Sequence, residues 1–146
     1  METTTRQYWL SLLAHSPAPR LAELLQQHLP PAADISWLRR AQTGLVMLQG
    51  RSGGSAAASI WARSASPAPA AQIAGWLGHG WVRGSDGQHA ELIAQADALL
   101  QNPQYYPPLQ AALLQPLQQE LSARREQSAR AAAASKVEFF TMVRGD

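Results

Sequence analysis

The sequence predicts an α+β fold: a mostly antiparallel sheet of about four to five strands, flanked by an N-terminal helical hairpin and C-terminal helices. Three observations predict it. Leu21, Leu24, Leu25, His28 and Leu29 recur at the i, i+3, i+4, i+7, i+8 spacing of a one-sided helix. Thr43-Gly44-Leu45-Val46-Met47-Leu48-Gln49 is a continuous apolar run of the kind a strand buried on both faces shows. Residues 75–93, GWLGHGWVRGSDGQHAELI, read as strand, tight turn and helix start in one stretch. At 146 residues the chain is expected to form one domain, 1–146, that buries roughly 70% of its unfolded surface.

The elements follow in order. Thr3 to Thr5 offer caps for a first helix with Trp9, Leu12 and Leu13 on one face, and Ser16-Pro17 ends it, because a residue before proline avoids helical ψ. The second helix carries the leucine stripe, with His28 expected as a satisfied histidine at the core edge, and Pro30-Pro31 closes this unit, 1–30. Residues 35–84 turn to strand character. Ile35 to Arg40 is a short strand or an Asp34-capped helical turn, and the Thr43–Gln49 strand runs into Gly50-Arg51-Ser52-Gly53-Gly54. One short strand around Ser59–Arg63 follows, and Ile73 to Val82 makes a hairpin in which Gly78-His79-Gly80 permits a bend or bulge. Residues 85–136 are helical, from 88 to 101 and again from Leu109 to Ala134, divided near Pro116, which suits the first turn of a new helix. The tail, 137–146, is apolar and holds both phenylalanines; it should dock in the sheet or on a partner, since a free chain end is normally frayed and polar.

Composition narrows the function. There is no cysteine, hence no disulfide, thiolate metal site or thiol nucleophile, and a cytoplasmic location is expected. A net charge of +2 from 12 basic and 10 acidic residues is not the dense footprint that nucleic acid demands. No apolar run reaches membrane-spanning length. Five tryptophans serve either core packing or a partner surface.

Chemistry concentrates at the helix start. Gly84-Ser85-Asp86-Gly87 is turn chemistry, Ser85 or Asp86 can cap the following helix, and Ser85-x-x-Gln88 has the form of a capping box. Free amides and partial positive charge at such an end suit an anion, with Arg83 beside it. His89 falls at the edge of the buried face and Glu91 points away from it; both are candidate catalytic residues, and Asp86 and His89 are candidate ligand contacts. Arg51, Gly53 and Gly54 could cradle a phosphate, although the Gly-Lys-Ser/Thr of a P-loop is absent. His89-Ala90-Glu91 imitates the His-x-Glu of zinc deaminases, but the two thiolates that complete such a site have no counterpart here, and no metal is expected. No Gly-x-Ser-x-Gly elbow supports a serine nucleophile.

Several strings in order go further: Thr5-Arg6-Gln7-x-Trp9, Thr43-Gly44-Leu45-Val46, Gly50-Arg51-x-Gly53-Gly54, Trp81-Val82-x-Gly84-x-Asp86-x-Gln88-His89-Ala90-Glu91, and Val137-x-Phe139-Phe140-Thr141-Met142-Val143-Arg144-Gly145-Asp146. Together they resemble the G-subunit family of the bacterial carbon–phosphorus lyase core complex, which degrades phosphonates. The resemblance implies H-, I-, J- and L-type partner subunits. It also implies a joint reaction in which an alkylphosphonate displaces adenine from ATP, giving a ribose 1-phosphonate 5-triphosphate. ATP would be a substrate of the complex, with no cofactor held by this chain alone, and the nucleosidase chemistry would belong to the I subunit. The chain would then either help to position ATP or phosphonate or act as a scaffold that contacts no ligand. Phe139, Phe140, Met142 and Arg144 are partner-interface candidates. Residues 55–74 depart from the family pattern, and Gly84-Ser85-Asp86 stands where the family has Gly-Arg-Asp.

Overall fold

The computed structural model describes residues 3–29, 34–51 and 58–143. In chain order the elements are α1 (Thr3–His15), α2 (Ala18–His28), β1 (Ile35–Arg39), β2 (Thr43–Arg51), β3 (Ala58–Pro67), β4 (Ala70–Ile73), β5 (Trp76–His79), α3 (Gly87–Gln101), α4 (Tyr106–Leu109), a π-helical turn (Gln110–Leu114) and α5 (Gln115–Val143).

The α+β class and the antiparallel pairing are as expected; the single sheet is not. β1, β4 and β5 form a three-stranded sheet in the order β1-β4-β5, while β2 and β3 pair with each other in a separate two-stranded ribbon. The ribbon is long, with Thr43 opposite Pro67 and Arg51 opposite Ala58. It is inserted between β1 and β4, which pair across it with Ile35 opposite Ile73. Whether β2 is buried on both faces, and the glycine turn at 53–54, lie outside the described residues.

The β4–β5 hairpin forms at Ala74-Gly75, where both turn residues have positive φ, 50° and 83°. This is the handedness that a two-residue hairpin turn requires to match strand twist. Gly78 and Gly80 make no bend. They let β5 lie directly on α3: a methyl at Gly78 would overlap the Ala94 carbonyl oxygen and stand 2.5 Å from the Ala98 nitrogen, and one at Gly80 would overlap the Ala90 carbonyl. Ala90, Ala94 and Ala98, four residues apart, form the small-residue stripe that receives them. A strand glycine here marks close backbone approach.

α3 is the central post. Ala90, Ile93, Ala94, Ala96, Leu99 and Leu100 are buried in a core with Trp9, Leu13, Leu21, Leu25, Ile73, Leu113 and Leu117. The two N-terminal helices do not pair chiefly with each other as a hairpin; each packs on α3, α2 through Leu21, Leu24 and Leu25. His28 is exposed and not at the core edge.

Pro116 falls in the first turn of α5, immediately after the π turn, in which the Gln115 amide donates to the Gln110 carbonyl. Proline cannot donate to the i−4 carbonyl and its ring crowds it, and a wider turn relieves that conflict. α5 then continues without a break to Val143, so residues 137–143 have helical backbone and add no strand to either sheet. Their side chains, and Arg144, lie outside the described residues. Among the described residues no helix is long and apolar enough to cross a membrane.

Candidate functional site at the start of α3

Of the two candidate caps, Ser85 and Asp86, it is Asp86 that caps α3, its carboxylate accepting the His89 amide at 3.0 Å, so Ser85 is not the N-cap of a capping box with Gln88. Gly84 supplies the turn with φ of 107°. The cap has a chemical consequence. A carboxylate already occupies the positive end of the helix and takes one of its orphan amides, which weakens the attraction of that end for a second anion.

His89 is buried, and its Nε2 lies 3.0 Å from the Leu13 carbonyl oxygen. A carbonyl only accepts, so Nε2 carries the proton and donates, tying α3 to the last turn of α1. Glu91 faces the other way. It accepts both Nε and Nη2 of Arg40 at 3.0 Å and the Ala41 amide at 3.0 Å, which fastens the β1–β2 connection to α3. Gly87 admits this connection, since a methyl there would stand 3.1 Å from Ala41 Cβ. Arg40 also stacks on Trp37, 4.6 Å above the ring. The three candidates at this helix start are thus brought together on one helix, but each is turned to a different neighbour. Arg51 ends β2, its side chain outside the described residues, as are Gly53 and Gly54.

Two turns along α3 lies a group that the sequence reading passed over. Asp97 is fully buried and accepts from Arg6 Nε (3.2 Å) and Nη2 (2.7 Å), Trp9 Nε1 (2.9 Å), the His79 amide (2.9 Å) and Gln101 Nε2 (3.3 Å). One carboxylate therefore joins α1, β5 and α3. The hydrogen bond to Asp97 raises the Arg6 pKa above its ordinary value; burial opposes this in part, and the charge of Asp97 adds to it. The signal was available. Asp97 sits on the apolar stripe of α3, four residues after Ile93, where a carboxylate has to find donors, and Arg6 and Trp9 share one face of α1.

Beside this hub, near the C-terminal end of α3, is an apolar cleft of about 390 Å³ lined by Thr5, Trp9, Trp76, Leu100, Gln101, Pro103 and Tyr106. It is remote from the helix start, since α3 spans 15 residues, about 22 Å. Among the tryptophans Trp9 is buried in the core, whereas Trp76 and Trp81 are 37% and 46% exposed. Among the described residues no cluster of His, Asp and Glu could hold a metal ion.

A buried helical post whose polar side chains fasten its neighbours, with aromatic residues left at the surface, defines the class of the fold as α+β built around α3. Comparison with known proteins gives the family. The model of the family described as "Phosphonate metabolism protein PhnG" matches residues 4–145, and the chain belongs to that family. It is 32% identical over 142 residues to the Alpha-D-ribose 1-methylphosphonate 5-triphosphate synthase subunit PhnG of Rhizobium meliloti (strain 1021), a match covering 97% of this chain and 90% of that one.

Proposed function

We propose that the chain is a framework subunit of a ribose 1-methylphosphonate 5-triphosphate synthase of phosphonate catabolism, and that it stabilises the nucleosidase subunit without itself contacting the reacting groups. Membership of the family and the relative's name support the complex. One observation favours the framework role over the ligand-positioning role: His89, Asp86 and Glu91 are each engaged in bonds internal to the fold. A general base must have its lone pair within reach of a substrate proton, and a carboxylate held by a bidentate arginine and a backbone amide is a fastening. On this reading the H-, I-, J- and L-type subunits are the partners, and ATP and an alkylphosphonate are bound by them. Phe139, Phe140, Met142 and Arg144 contribute to the contact with the I-type subunit.

Co-expression of the other core subunits with and without this chain tests the role. The expected result is that omission lowers the yield of assembled complex and of soluble I-type subunit together, and that adding the chain restores both. Full assembly in its absence would contradict the framework role.

A further inference from the structure

From Ser122 to Lys136 every side chain of α5 is exposed, although Leu117 and Leu121 just before this stretch pack on the core. The helix therefore leaves the body of the protein. Four turns without a buried face are unusual, because most helical stability in proteins comes from packing one face. From Leu121 to Val137, where the apolar end of the sequence begins, the helix advances about 24 Å.

The charge of this segment is as uneven as its exposure. Arg124, Arg125, Arg130 and Lys136 stand against Glu126 alone, a net +3 in a chain whose total is +2, so everything else carries a net −1. At the root of the segment Arg124 turns back to the body, donating to the His15 carbonyl at 2.8 Å, and Arg125 borders a cleft with Tyr8, Ser11 and Leu12 of α1. A second copy of the chain is a poor occupant for such an arm. Two arms side by side would repel. Among the described residues of the body the acidic groups are mostly engaged, since Glu23 and Glu120 are held by Arg20, Glu91 by Arg40 and Asp97 by Arg6, and Asp86 caps α3, while Asp34 is a single exposed acid. Nucleic acid is disfavoured by Glu126 within the stretch and by Ala131–Ala134, four residues that offer phosphates nothing but permit close packing of another helix.

We infer that residues 122–136 form a basic docking arm for a different protein subunit, one with an acidic, helix-lined groove. The groove accepts the arm along the alanine run and is acidic opposite Arg125, Arg130 and Lys136. This rests on the framework-subunit reading and adds to it the element that docks and the chemistry of its partner. Charge matching of this kind sets orientation and association rate and makes binding salt-sensitive.

The test is co-expression of the full chain with the other core subunits, followed by affinity measurement on the purified components. Wild type is compared with the triple variant R125E/R130E/K136E, whose helical content is checked by circular dichroism, since Glu is as good a helix former as Arg or Lys. The expected result is a complex that weakens as salt rises, and a triple variant that keeps its helicity but binds at least about tenfold more weakly. A photo-crosslinker at Ala132 should trap an acidic segment of a partner subunit. Equal affinity of variant and wild type would overturn the arm while leaving the subunit reading intact. No complex with the wild-type chain would remove the subunit reading and the inference with it. Capture of nucleic acid by the wild-type arm, lost in the variant, would overturn the protein partner.

Discussion

The contact between β5 and α3 makes the sharpest quantitative prediction. Gly78→Ala places a methyl group onto the Ala94 carbonyl oxygen, 2.5 Å from the Ala98 nitrogen and 2.8 Å from Ala98 Cβ. The first two neighbours are backbone atoms in the middle of a buried helix, so no rotamer change can make room. The strand has to lift off the helix, carrying with it the His79 amide that donates to Asp97. Overpacking a core costs about 1–3 kcal/mol where side chains can adjust. Backbone obstruction and a weakened bond to a buried carboxylate put the loss here at about 3–5 kcal/mol. For a chain of this size that is a fall in Tm of roughly 10–15 °C. Urea and thermal unfolding would measure it. Gly75→Ala is the control: its added methyl meets nothing, and only the φ of 83° is strained, costing about 1 kcal/mol. The double variant G78A/A94G should not recover the loss, because the Ala94 obstruction is its carbonyl. Recovery in that variant, or a Gly78→Ala loss below about 1 kcal/mol, would refute the close-approach reasoning.

Three further outcomes are expected. Asp97→Asn retains one acceptor but turns an NH2 toward the N–H donors of Arg6, Trp9 or His79; unfolding should show a loss of about 3 kcal/mol or more, with near-ultraviolet circular dichroism reporting the displaced Trp9. The Arg6 pKa is raised, so its contribution is fully present below the unfolded-state pKa and is lost only as pH rises through the still higher folded value. The stability difference between wild type and Arg6→Met should therefore stay flat between about pH 7 and 10 in urea titrations. Asp86→Ala removes the cap from the His89 amide, and a loss of about 1 kcal/mol, with faster hydrogen exchange confined to the first turn of α3, is expected.

The local features of the fold were legible in the sequence, whereas contacts between distant segments were not. The leucine spacing of α2 and a cap in the Ser85-Asp86 turn are written within a few residues of where they act and are found in place, whereas the expected division near Pro116 is a π turn inside a continuous helical run. The division of the strands into a three-stranded sheet and a ribbon depends on which strands meet, and β1 and β4 pair across about thirty intervening residues. Gly78 and Gly80 read as bend residues because local chemistry gives glycine that meaning first; their true partners are Ala90, Ala94 and Ala98 on another element. The same distance hid Asp97, whose principal donors Arg6 and Trp9 lie 91 and 88 residues away. At the candidate site the sequence showed that a turn leads into a helix start carrying Asp86, His89 and Glu91. Which group each one faces, Leu13 for His89 and Arg40 for Glu91, is a tertiary fact.

Turnover per assembled complex separates a framework subunit from one that handles substrate. His89→Gln and Glu91→Gln would each be introduced into this chain within the purified complex, and adenine release from ATP in the presence of methylphosphonate measured per mole of intact assembly. Framework action leaves that rate within about twofold of wild type, with any deficit confined to yield or thermal stability. A loss of about a hundredfold or more in complexes that assemble normally would place these residues in the chemistry and contradict the framework role.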